Sequence, residues 1–151
     1  MFRLMTLLCI TSILASSCKN CVCLPSEGLR LTMISFTPSD VDTLVIRKFE
    51  KGTAFNHLID TTQWDGSNVV FRAQNDTLEM AAMIGGLGLK SNFDYEVYVP
   101  AIGRTYKISD LNEPQREENC PYKTMCVNLI VSAKVDEKTT QLNSDILFLK
   151  K

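Results

Sequence analysis

Phe93-Asp94-Tyr95-Glu96-Val97-Tyr98-Val99 is the stretch that decides the fold class. Residues 93, 95, 97 and 99 are apolar or aromatic and alternate with Asp94, Glu96 and Tyr98. That period of two marks a half-buried strand, not a helix. Ile102-Gly103 is a turn signal, and the run from Arg104 to Ser109 follows closely enough to predict a hairpin. Further along, Met125, Val127, Leu129, Val131, Ala133 and Val135 alternate with Cys126, Asn128, Ile130, Ser132 and Lys134, the longest strand pattern in the chain. Gln141 to Lys150 is expected to pair with it across Asp136-Glu137-Lys138.

Moving back towards the N-terminus, Leu29 to Phe36, Thr43 to Phe49, Val69 to Ala73 and Leu78-Met80-Ala82-Ile84 are further strand candidates. Pro38-Ser39-Asp40, Lys51-Gly52, Asp65-Gly66-Ser67, Gln74-Asn75-Asp76 and Gly85-Gly86 separate them as turns. A capped helical stripe is missing. Residues 53–66 read as a short helix or an irregular crossover, and Arg116-Glu117-Glu118 as a solvated loop. The expectation is all-β: a single antiparallel β-sandwich of about seven to eight strands, immunoglobulin-like or related, over residues 29–151.

Residues 1–17 have a different character. Arg3 is their only charge, and Met5, Leu7, Leu8, Ile10, Ile13 and Leu14 make an apolar run. The run is about 11–13 residues, the size of a signal-peptide core; a membrane span needs roughly 20. It closes on Leu14-Ala15-Ser16-Ser17-Cys18, which resembles the bacterial lipobox. The commonest form has leucine three residues before the cysteine, where this chain has Ala15. Residues 1–17 are thus expected to be a cleaved lipoprotein signal peptide, Cys18 the lipidated residue, and 18–28 a short tether.

The cysteines support export. Of Cys9, Cys18, Cys21, Cys23, Cys120 and Cys126, the first leaves with the signal and the second carries lipid. The even set that remains predicts disulfides in an oxidising compartment. Cys21 and Cys23 are too close to bridge each other without strain, so the preferred arrangement ties them to Cys120 and Cys126. Closing a loop of about 100 residues contributes on the order of 4–5 kcal/mol in the chain-entropy model. A zinc site using these cysteines and His57 is disfavoured, because structural sites place two to four residues between paired cysteines and the gaps here are one and five. No metal and no cofactor is expected.

Composition narrows the partners. The chain has 16 basic and 17 acidic residues with no basic stripe, so nucleic acid is not an expected partner. His57 is the sole histidine, and any acid–base scheme at neutral pH would pass through it or a shifted carboxylate. Asp60 follows it, without an evident serine or cysteine nucleophile. Gly85-Gly86-Leu87-Gly88 lacks the lysine-serine/threonine ending of a phosphate loop and reads as a bend or bulge. Asp40, Asp42, Asp60, Asp65 and Asp76 have no fixed calcium-loop spacing and read as solvated turns. Trp64, beside Asp65-Gly66 and with Tyr98, Tyr106 and Tyr122 behind it, is the best candidate for a binding platform.

Ser17-Cys18, the cysteines directly behind it, Asp42-Thr43-Leu44-Val45-Ile46 and Tyr95-Glu96-Val97-Tyr98-Val99-Pro100 give the chain a further likeness. It resembles small exported lipoproteins of the Bacteroidota that carry immunoglobulin-like sandwich domains. The resemblance implies an envelope location, most often the outer membrane, and carries over no functional residue. The expected role is a lipid-anchored, non-catalytic one, binding an envelope protein or glycan or supporting an assembly. The alternatives are a small extracytoplasmic enzyme using His57 with a carboxylate, or an inhibitor or subunit of a periplasmic enzyme. Cys18→Ala is expected to abolish acylation and release the protein from membranes in a fractionation. A substituted protein that stays membrane-bound with signal cleavage unchanged contradicts the anchor.

Overall fold

Period-two patterning becomes strand along most of the chain, as the computed structural model shows for the residues it describes, 20–65, 69–74, 77–82, 88–119 and 126–151. The strands are β1 (Asn20–Val22), β2 (Arg30–Ile34), β3 (Thr43–Glu50), β4 (Leu58–Asp65), β5 (Val69–Gln74) and β6 (Thr77–Ala82). They continue as β7 (Phe93–Val99), β8 (Arg104–Asn112), β9 (Glu117–Asn119), β10 (Ser132–Val135), β11 (Lys138–Gln141) and β12 (Ile146–Lys150). Helix among the described residues is confined to 3₁₀ turns at Pro38–Asp40 and Pro100–Ile102. The class is all-β.

Chain contacts divide the protein into two compact units. The larger, Ser26–Pro114 with Leu129–Lys151, holds a six-stranded antiparallel sheet in the order β11-β10-β8-β7-β3-β4. It also holds a four-stranded sheet in the order β12-β2-β6-β5. Their inner faces share one apolar core: Leu44 and Ile46 of β3, Val97 and Val99 of β7 and Ile108 of β8 meet Leu31 and Met33 of β2 and Leu147 and Leu149 of β12. This is the sandwich that alternation predicts. Along β7, Tyr95, Val97 and Val99 are buried and face this core. Among the described strands of these two sheets only β12 departs from antiparallel pairing, running parallel to β2 from Ile146↔Arg30 to Lys150↔Ile34.

Two devices adjust the alternation. In β8 the buried positions step from Ile108 to Leu111, a change of parity. Asp110 sits at φ 50°, and the register to β10 slips between Ser132 and Lys134. One extra residue in the left-handed region makes a β-bulge that turns the following side chain to the other face, so Leu111 reaches the core. Asp110 also pairs with Lys134 at 2.7 Å. At Gly28, where φ is 112°, an added Cβ would lie 2.4 Å from the Gly88 backbone. The two chains approach this closely to form the Leu29↔Leu89 bridge, which only glycine allows.

Several expectations are corrected. Residues 53–65 are neither helix nor crossover: the chain turns over residues 51–57 and continues as β4, and residue 66 lies outside the described residues. Glu117–Asn119 is a strand, not a loop. Of the described residues 126–135, strand begins only at Ser132, and over 127–130 the alternation has the opposite sense, with Val127 and Leu129 exposed and Asn128 and Ile130 buried. Hydrogen bonding decides this: the Asn128 side-chain oxygen accepts from the Arg116 N–H at 3.1 Å, and its own N–H donates to the Leu24 carbonyl at 2.7 Å. The run 141–150 breaks at Ser144 and Asp145, both with positive φ. There the Asp145 carboxylate accepts from the Ile130 N–H at 2.5 Å, and its carbonyl accepts from the Arg30 N–H at 2.8 Å.

The smaller unit takes the chain up to Pro25 with Gln115–Asn128. Its described strands are β1 and β9, paired antiparallel with Cys21 opposite Glu118. The Cys23–Cys126 disulfide closes a separation of 103 residues, one of the two bridges expected. Cys21 is disulfide-bonded as well; Cys120, the other expected partner, lies outside the described residues. A two-stranded pair is marginal in water by itself, and the Cys23–Cys126 bridge reinforces it covalently.

Asp40 makes the larger unit's stability depend on acid. Lys151 at 2.8 Å and the Thr37 N–H and hydroxyl hold its pKa down from 3.8 to about 2. A carboxylate with a depressed folded-state pKa stabilises above its unfolded value and loses that contribution as pH falls through the folded value. Asp40→Asn is therefore expected to lower the melting temperature at pH 7, with the difference from wild type closing between about pH 4 and pH 2. A difference that persists unchanged at pH 2 contradicts the assignment.

Candidate functional site

The outermost strand of the six-stranded sheet, β4, collects the sequence candidates. It pairs only with β3 among the described residues, from Thr43↔Asp65 to Phe49↔Leu58. Every residue from Leu58 to Gln63 is exposed, including Leu58 and Ile59, which are about half accessible. An edge of this kind offers a row of backbone N–H and C=O groups that an incoming strand can pair with. The opposite edge, β11, is half as long and begins at Lys138, a blunted edge by comparison.

Some protection is built into β4. The register slips between Lys48 and Phe49, leaving Ile59 without a direct partner on β3. Asp60 pairs with Lys48 at 3.8 Å. Beyond that, Thr61-Thr62-Gln63-Trp64 carries no charge. The open, uncharged part of the edge is thus its second half.

Trp64 does not stand at a loop tip. It lies within β4 opposite Leu44, half-buried and packed against the core cluster. Its indole N–H is buried without a hydrogen-bond partner. The tyrosines placed behind it do not converge with it. Tyr106 is in the core, Tyr98 lies opposite Val45 on the other face of the sheet, and Tyr122 is outside the described residues. A flat aromatic platform is therefore not assembled by Trp64 with Tyr98 and Tyr106.

His57 stands just before β4, where the chain re-enters the sheet. Its Nδ1 lies 2.5 Å from the Glu50 carboxylate, with both side chains largely exposed. The backbone supports the same closure, since the Glu50 N–H donates to the His57 carbonyl at 3.0 Å. The carboxylate beside His57 is thus Glu50, seven residues back, and not Asp60, which faces Lys48. Between them Gly52, Ala54 and Phe55 all have positive φ. Phe55 is held edge-on to Phe49 at 5.4 Å, with Lys107 5.1 Å over its ring. Below the loop the buried Asp94 accepts from the Gly52 N–H at 2.8 Å, and the Lys51 ammonium donates to the Ser91 and Leu111 carbonyls. The other oxygen of Asp94 is buried and unpartnered. These contacts fix a tight, strained loop.

The displaced pKa values among the described groups belong to the scaffold. Burial pushes Tyr95 up to about 12 and raises Tyr106; Asp110 raises Lys134; and Lys151 with Thr37 lowers Asp40. Tyr95 is occupied locally, accepting from the Lys90 N–H at 2.8 Å. Comparison with protein-family models, with curated proteins and with solved structures gives no match. Cys18, Cys120, Asn75-Asp76 and Gly85-Gly86-Leu87 lie outside the described residues.

The β4 edge was missed in the sequence because nothing in Leu58-Ile59-Asp60-Thr61-Thr62-Gln63 alternates. The remaining signal was Trp64 itself, four residues after Asp60 and read as a surface aromatic. Truncating Trp64 to Ala is expected to cost about 2–4 kcal/mol in a denaturant titration, since a large ring leaves a partly buried site. Trp64→Phe keeps most of the packing and removes the orphaned N–H, whose burial costs about 1–3 kcal/mol, and is expected to be neutral or stabilising. A Phe substitution as damaging as Ala contradicts this account of the side chain.

Proposed function

We propose that this is a lipid-anchored cell-envelope protein with a non-catalytic binding role, and that its recognition element is the β4 edge. The observation that carries the reading is an eight-residue strand at the sheet edge, exposed from Leu58 to Gln63. An extended segment of another envelope protein would add to it as a further strand, with main-chain hydrogen bonds giving affinity and Leu58, Ile59 and Trp64 giving side-chain contact. With a lipid on Cys18, the partners are other envelope components, and the Cys23–Cys126 disulfide supports this reading because such bridges persist in oxidising compartments. A protein segment suits this edge better than a glycan, because a backbone row is offered and a stacked aromatic surface is not.

The enzyme alternative rests on His57 and Glu50. Their proximity is real, yet both side chains face water, where an ion pair is weak and a reacting group gains nothing from desolvation. We assign the pair to closing the β3–β4 loop.

A photo-crosslinking residue at Gln63, compared with one at Thr139 on β11, tests the binding role in native envelopes. A specific adduct is expected from position 63 and not from 139. The double substitution Ile59→Lys with Thr61→Lys should abolish it, while leaving the melting temperature within about 2–4 °C of wild type, the shift of a roughly 1 kcal/mol change. Equal adducts from both edges, or an adduct indifferent to the lysines, contradict the reading.

A further inference from the structure

We propose that the smaller unit touches the bilayer directly, through an apolar face carrying Val22, Leu24 and Val127. The proposal rests on the lipid-anchored reading and extends it from the acyl chain to the protein surface.

The three side chains share one face for reasons of strand geometry. Val22 and Leu24 are two residues apart in extended chain, and alternate residues of a strand point the same way. Leu24 forms a parallel bridge with Val127, and each is preceded by one half of the Cys23–Cys126 disulfide. The disulfide takes one side of this pair of segments, and Leu24 and Val127 take the other. Val22, Leu24 and Val127 are 61%, 48% and 41% exposed. Scattered apolar residues on a surface need no explanation. Three held together beside a lipid attachment point do.

Chain length puts them there. Val22 is four residues from Cys18, and an extended chain spans at most about 3.3–3.6 Å per residue. Its Cα therefore lies within about 14 Å of the lipidated Cα, and Leu24 within about 22 Å by the same limit. The face is held together as one surface, because Cys21 and Cys23 are both disulfide-bonded and the Leu24 N–H donates to the Cys126 carbonyl at 2.9 Å. An apolar surface tethered at that distance meets the headgroup layer, where side chains such as these bury about 5–10 Å deep at the acyl boundary. Charge selects the lipid. Glu117 is the register partner of Val22 and is exposed on the same face, so neutral phosphatidylethanolamine suits this surface better than an anionic lipid.

The test uses the full, processed protein in vesicles of phosphatidylethanolamine whose chains are brominated near the headgroup, with mass spectrometry of Cys18 run on the same sample. Tryptophan is introduced as Leu24→Trp, Val127→Trp or, as reference on the opposite side of β9, Glu118→Trp. Each is read against the unsubstituted protein, which has Trp64 alone. With Cys18 acylated, quenching at positions 24 and 127 is expected to exceed that at 118 several-fold, and to weaken when phosphatidylglycerol is added. Two substitutions at one face keep the result readable where one of them perturbs folding. Acylated protein quenched equally at all three positions overturns the bilayer contact and leaves the anchor standing. Protein without acyl on Cys18 overturns the anchor and the contact with it. Acylated protein that is unquenched at position 24 but crosslinks there to a second copy overturns the bilayer contact in favour of a dimer.

Discussion

Leu147 and Leu149 reach the core only because β12, the last strand, hydrogen-bonds in parallel along β2, a strand more than a hundred residues earlier. This pairing covers the inner face of the six-stranded sheet with four nearly inaccessible side chains: Leu31, Met33, Leu147 and Leu149. Burial of each contributes about 1.5–3 kcal/mol, which together is comparable to the whole stability of a typical domain, about 5–15 kcal/mol. Polar contacts follow the same seam. Tyr106 on β8 donates its hydroxyl to the Lys150 carbonyl at 2.5 Å, and the Lys151 N–H donates to the Ile34 carbonyl at 3.2 Å. Lys151 also reaches Asp40. A C-terminal strand that pairs elsewhere, or not at all, would uncover β3, β7 and β8 together.

That closure also explains where an edge is left open. The four-stranded sheet ends on β5 and on β12, which Tyr106 ties to the facing sheet. The six-stranded sheet ends on β11, short and led by lysine, and on β4, long and exposed. Covering one sheet face by two distant strands leaves no chain to cover β4 among the described residues. The binding role proposed for β4 is thus a consequence of how the sandwich is completed.

Burial is what made the rest legible or illegible in the sequence. Phe93 to Val99 alternates because one face of β7 is packed and the other is not, so the strand and its hairpin with β8 could be read directly. Leu58 to Gln63 is exposed on both faces, and a strand without a buried side carries no imprint of period two; β4 was invisible for that reason. The 126–131 segment shows the opposite failure. Its alternation was present, but Asn128 is drawn inside by hydrogen bonds to the Arg116 N–H and the Leu24 carbonyl, exposing Val127 and Leu129. Patterns of apolar residues report burial only where backbone groups have no stronger claim. Cysteine counting indicated that Cys23 reaches forward to a late cysteine but not whether Cys120 or Cys126 is its partner. The Glu50 partner of His57 was not readable either, because it comes from across a tight loop and not from the nearby Asp60.

Native-state hydrogen exchange of the protein tests the closure most directly. If the β2–β12 pairing holds the larger unit together, its amides exchange only through the global opening that also exposes β3 and β7, with one common free energy. The amides of β4 not bonded to β3 exchange fast throughout. Exchange of β12 through local fraying, while β7 remains protected at the global level, would contradict the account.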